Sequence, residues 1–96
     1  GAERKARDLG EYGVSVEFYY SRFADPAAQV ELLDTLASWL RCMGNQRRMA
    51  RELHLHYNTV SYRLQQLWLL LEADPVDPMK RLALETALYL YRYRRT

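Results

Sequence analysis

Ninety-six residues with 14 basic and 12 acidic side chains, a net charge of +2 and one cysteine are enough for one small domain and exclude an internal disulfide. No apolar run approaches the ~20 residues of a membrane span and no signal peptide is visible, so a cytoplasmic location is expected. Residues 1–40 hold four basic and seven acidic side chains, residues 41–66 five and one, residues 67–79 none and three, and residues 80–96 five and one, so two basic segments alternate with two acidic ones.

The first 24 residues carry two patterns. Val14, Val16, Phe18 and Tyr20 alternate with other residues as in a strand, while Ser15 could cap a short helix from Val16 to Phe23. A lone strand has no partner in this chain, which favours the helix. Residues 1–8 are charged and are expected to fray. The absence of an initiator Met points to a fragment.

Asp25-Pro26 is expected to cap and open a helix running to about Met43, with Leu33, Leu36, Ala37, Leu40 and Met43 on one face and Gly44 as its stop. Cys42 on that helix reads as buried apolar filler in preference to a reactive thiol. Asn45 caps a short second helix ending near Leu53, with the small Ala50 where two backbones could cross. A third helix starts between His56 and Asn58, both able to cap, and runs to about Leu71. Asp74-Pro75-Val76-Asp77-Pro78 is then a turn whose second Asp-Pro opens the last helix, in which Met79, Leu82, Ala83, Thr86, Leu90 and Tyr93 share a face. The fold class is all-α, a small bundle of four to five helices.

Asn45–Leu64 is the most informative stretch. Leu53, Leu55, Val60 and Leu64 follow Ala50 at spacings that suit a helix, a tight turn and a second helix, the pattern of a helix-turn-helix. Val60, Leu64, Leu67 and Leu71 form one inward stripe on a helical wheel, and Asn58, Tyr62, Gln65 and Gln66 point away from it. Amides offer a donor and an acceptor together, which suits an adenine edge. Thr59 and Arg63 flank the helix where a phosphate strand would run. Arg41, Arg47, Arg48, Arg51 and Arg63 concentrate positive charge in this segment, as phosphate contact requires.

Met49, Ala50, Leu53, His56, Asn58, Thr59, Val60, Arg63 and Leu64 resemble the Fis-type helix-turn-helix, and specifically the C-terminal DNA-binding domain of PucR- and CdaR-type transcriptional regulators. Leu32–Leu36 with Gly44-Asn45 upstream, and Asp77-Pro78 with the helix behind it, extend the resemblance from about Gln29 to about Tyr93. It departs from the family pattern at His54, where Gly is usual and which must accept a positive φ or a slightly different turn, at Tyr57, where a basic residue is frequent, and at Glu72-Ala73, in place of a Gly-containing loop. The resemblance implies a bacterial regulator of purine, sugar-diacid or related catabolism whose inducer is sensed by a part absent from this chain. Residues 1–24 would then be the remnant of a linker to that upstream domain, and residues 25–96 the helix-turn-helix domain.

On this reading Asn58, Ser61, Tyr62, Gln65 and His56 read bases, while Arg47, Arg48, Thr59 and Arg63 hold phosphates. The partner is double-stranded DNA, and no cofactor is expected. Leu67–Leu71 is apolar all round, and Leu69 lies in line with Asn58 and Tyr62. Cover from within the chain is the simpler expectation for it; a homodimer through Leu69, Leu70 or the tyrosine-rich last helix is the alternative. His54 and His56 lack the spacing of a metal pair on one helical face, and no nucleophile stands with a base, so neither a metal site nor an enzyme is expected. In the tail, Tyr89, Tyr91 and Tyr93 are expected to pack while Arg92, Arg94 and Arg95 are solvated, in preference to stacking on nucleic acid. The alternative function is a helical protein-interaction or dimerisation domain that does not bind DNA.

Overall fold

The computed structural model of the chain describes residues 2–26, 28, 30–73 and 76–95, with side chains over 10–26, 28, 30–73 and 76–94. Among them are five helices and no strand: α1 (Ala2–Ala24), α2 (Val30–Arg41), α3 (Gln46–Leu53), α4 (Tyr57–Leu71) and α5 (Pro78–Arg95). The chain divides into two units, Pro26–Glu72 with α2, α3 and α4, and Gly1–Asp25 with Ala73–Thr96, which holds α1 and α5.

In Pro26–Glu72 the three helices pack on one another. Helix α2 starts at Val30 and not at the expected Asp25-Pro26, because Asp25 belongs to the exit of α1, its N–H donating to the Arg22 carbonyl at 3.2 Å. Leu32, Leu33, Leu36, Ala37 and Trp39 are buried along it, and Thr35, also buried, satisfies its hydroxyl on the Glu31 carbonyl at 2.7 Å. The helix ends before Gly44: Met43 turns left-handed at φ +53°, its N–H donating to the Leu40 carbonyl, and the N–H of Gly44 closes on the Trp39 carbonyl at 3.0 Å. This is a Schellman ending in which Gly44, at φ +81°, supplies the second left-handed residue. Met43 therefore leaves the helical face assigned to it and is 74% exposed. Cys42 is buried, as its apolar surroundings predicted.

Asn45 caps α3 as expected, its Oδ1 accepting the Arg48 N–H at 3.1 Å. The fully buried residue of α3 is Met49, while Ala50 is half-buried and lends its carbonyl to the turn. That turn is a second Schellman ending: the N–H groups of His54 and Leu55 donate to the carbonyls of Arg51 and Ala50 at 3.3 and 3.0 Å, with His54 at φ +55°. His56 then caps α4 through Nδ1, which accepts the Asn58 N–H at 3.1 Å. Val60, Leu64, Leu67 and Leu71 are all buried, so the stripe drawn from the sequence is the core stripe of α4. Trp68 meets Trp39 edge-on at 5.1 Å between ring centroids. Glu72 closes α4 at φ +48°, where the resembled family has a Gly-containing loop.

The second unit is a pair of helices running parallel. Tyr12 Oη and Thr86 Oγ1 hydrogen bond at 2.6 Å, and further along Tyr91 sits edge-on to both Tyr20 and Phe23 at 6.0 Å. Helix α1 begins at Ala2, well before the expected Val16, and so includes residues 2–8. Among its described side chains Val16, Tyr19 and Phe23, at i, i+3 and i+7, are buried, and burial together with the charge of Asp77 raises the Tyr19 pKa. Asp77 caps α5 through Oδ1 on the Met79 N–H at 2.9 Å, with Pro78 at the first helical position. The buried face of α5 is Ala83, Leu84, Ala87 and Leu88. Of the face expected from Met79, Leu82, Ala83, Thr86, Leu90 and Tyr93, Ala83 is fully buried, Thr86 and Leu90 are half-buried, and Met79, Leu82 and Tyr93 are exposed, so the buried face is rotated from the expected one. Tyr91 packs as expected, whereas Tyr89 and Tyr93 are exposed and stack on each other at 6.1 Å.

Candidate nucleic-acid interface

With Val60, Leu64, Leu67 and Leu71 facing inward, the 3.6-residue period leaves Asn58, Tyr62, Gln65, Gln66 and Leu69 on the outer side of α4, and all five are exposed. Thr59, Ser61 and Arg63 are half-buried at its flanks. Arg47, Arg48 and Arg51 are exposed on α3, where i, i+3 and i+4 spacing puts Arg51 beside the other two. The structure thus brings the candidate base-reading and phosphate-holding residues together on two consecutive helices.

Hydrogen bonds fix parts of this surface. Ser61 Oγ donates to Gln46 Oε1 at 2.8 Å and ties α4 to the first turn of α3. Ser61 therefore keeps only acceptor capacity for a further partner. Gln66 Nε2 donates to Tyr62 Oη at 2.7 Å, one turn along the exposed face. The Nδ1 of His56 is committed to its cap, leaving the other ring nitrogen for any outside contact. Leu69 is 80% exposed.

A cluster not foreseen from the sequence supports α3 from behind. Glu52 Oε1 accepts from Arg41 Nε at 2.7 Å, and its Oε2 accepts from Ser38 Oγ and, at 3.4 Å, from Cys42 Sγ. These bonds, led by that from Arg41 and then that from Ser38, hold the Glu52 pKa down to about 2. Arg41 is thereby paired through Nε, while its side chain stays 56% exposed. The sequence did hold a signal: Glu52 is the lone acid among the five arginines of residues 41–66. Gln46, the anchor of Ser61, had none.

Among the described residues no group of three or more His, Cys, Asp or Glu side chains could hold a metal, and no helix is long and apolar enough to cross a membrane. A family model described as the PucR C-terminal helix-turn-helix domain matches residues 32–90, which takes in all of α3 and α4 and most of α2 and α5. Comparisons with curated proteins and with solved structures find no match.

Proposed function

The chain belongs to the family of PucR C-terminal helix-turn-helix domains, and on that premise we propose that it binds double-stranded DNA sequence-specifically as the C-terminal module of a bacterial, cytoplasmic transcriptional regulator. One observation carries this reading: from Asn58 to Gln66 the outer side of α4 is a row of hydrogen-bonding side chains, and α3, tied to it through Gln46 and Ser61, presents Arg47, Arg48 and Arg51 outward. Asn58, Tyr62 and Gln65 read base edges, Ser61 contributes as an acceptor, and His56 uses its uncommitted ring nitrogen. Arg47, Arg48, Thr59 and Arg63 hold phosphates and set the register. The role is binding and not catalysis.

On the same reading, residues 1–24 lead in from an upstream part that senses a small-molecule inducer, residues 25–96 form the DNA-binding domain, and two copies serve a two-fold symmetric operator. The test is a selection of bound duplexes from a random pool at two salt concentrations. Enrichment of a defined site, with affinity falling as salt rises, supports the proposal. Failure to retain any duplex at about 50 mM salt refutes it, because phosphate contacts are strongest there.

A further inference from the structure

Two hydroxyls of α4 are tied to neighbouring amides with opposite polarity. Ser61 Oγ donates its one hydrogen to Gln46 Oε1 at 2.8 Å, so toward an outside partner it can only accept. Tyr62 Oη accepts from Gln66 Nε2 at 2.7 Å and keeps its hydrogen to donate. The two bonds differ in how firmly they hold. Tyr62 and Gln66 are both exposed, one turn apart on a single helix, where water competes for their bond. Ser61 and Gln46 are both half-buried and belong to different helices, so the packing of α3 on α4 keeps the amide against the hydroxyl. Ser61 also lies three residues after Asn58 and four before Gln65, on one ridge with both.

We propose that Gln46 is a positioning residue that determines specificity: by holding the Ser61 proton, it commits Ser61 to bases that carry an exocyclic amine in the major groove. This rests on the DNA-binding reading above and names the class of base that one position of the site selects. In the major groove adenine N6 and cytosine N4 donate, whereas guanine O6 and thymine O4 accept. An acceptor-only hydroxyl pairs with either amine and meets either oxygen lone pair to lone pair. A serine without Gln46 would turn its hydrogen outward when an oxygen faced it and would accept from an amine otherwise, because a hydroxyl does both. Gln46 thus supplies discrimination without reaching a base. The mismatch leaves a hydrogen bond unmade where water is excluded, which lowers affinity about tenfold.

The test is binding of wild type and variants to the selected duplex and to duplexes altered at one base pair, with helix content followed by circular dichroism. The position at which Ser61→Ala loses its preference marks the pair that Ser61 reads. There, an analogue base lacking the major-groove amine weakens wild type but not Ser61→Ala, and exchanging the two bases between the strands weakens wild type about tenfold. Gln46→Leu stays within about twofold of wild type on the selected duplex and binds the exchanged one more tightly, so its discrimination falls to about twofold. Gln46→Glu, whose carboxylate only accepts, keeps the discrimination at a lower overall affinity. A Gln46→Leu variant that weakens both duplexes alike or keeps the full discrimination overturns the inference, as does loss of discrimination in Gln46→Glu or an amine whose removal has no effect. Failure to retain any duplex overturns the DNA-binding reading and the inference with it, whereas each of the other results leaves that reading standing.

Discussion

Replacing His54 by glycine isolates the energetic cost of the turn between α3 and α4. His54 holds φ +55° and ψ 44°, where a residue with a Cβ stands about 1–2 kcal/mol above the right-handed conformation. Its side chain is exposed, so removing it costs little packing, and the N–H that closes the turn onto Ala50 and Arg51 is retained. Glycine relieves the steric cost but adds about 0.5–1 kcal/mol of freedom to the unfolded chain. The difference leaves a net stabilisation of about 0.5–1 kcal/mol, or roughly 2–8 °C in Tm for a domain of this size. Thermal unfolding followed by circular dichroism measures it. His54→Ala is the control, since it keeps the Cβ in the same backbone conformation and should leave Tm within about 2 °C of wild type. An equal rise in both variants, or none in His54→Gly, would refute the reasoning.

The remaining predictions concern the core, the reading face and pH. Leu67→Ala, at a fully buried site, should cost about 2–5 kcal/mol in chemical denaturation, whereas Leu69→Ala, two residues on, should fall within about 0.5 kcal/mol of wild type; similar costs at both would mean that Leu69 is covered. On a selected duplex, Asn58→Ala should lose about 1–3 kcal/mol, mainly at the cognate site, while Arg63→Ala should weaken all duplexes and reduce the salt slope by about one; identical behaviour of the two variants contradicts the division into base and phosphate contacts. The Glu52 pKa is lowered from 4.5 to about 2 in the folded chain, so the unfolded chain binds more protons between those values. The resulting stabilisation is present above about pH 4.5 and is lost as pH falls through about 2. Denaturant midpoints measured from pH 6 to 2 should fall less steeply in Glu52→Gln than in wild type, and parallel curves would remove Glu52 as the cause.

The parts of this molecule that could be read from the sequence are those whose signal is local. Asn45 and Asp77 are short polar side chains placed before apolar periodicity, and each caps the helix expected of it, while of the two candidates His56 and Asn58 it is His56 that caps α4. The stripe from Val60 to Leu71 was legible because polar residues occupy most of the other side of α4 until its last turn. Helix α5 was not, because apolar side chains surround much of it. Periodicity then offers more than one face, and the small side chains of Ala83 and Ala87 decide which one α1 covers. The start of α2 was misplaced because Asp25-Pro26 carries the same signal at the exit of one helix as at the opening of another. In the candidate interface, residue identities on α4 were readable from spacing, but the ties from Ser61 to Gln46 and from Glu52 to Ser38, Arg41 and Cys42 join residues 10 to 15 apart on different helices. No local pattern encodes them.

The number of arginines in Pro26–Glu72 sets a ceiling on the salt response. Five are present: Arg47, Arg48, Arg51 and Arg63, and Arg41, which keeps an exposed side chain beside Glu52. At about 0.9 released counterions per phosphate, they allow a slope of log K against log salt no steeper than roughly −4.5. A measured slope beyond that value would require cations from outside this unit. The basic side chains of residues 80–96 would be the source to examine, and the slope alone, without a further structure, would reveal their participation.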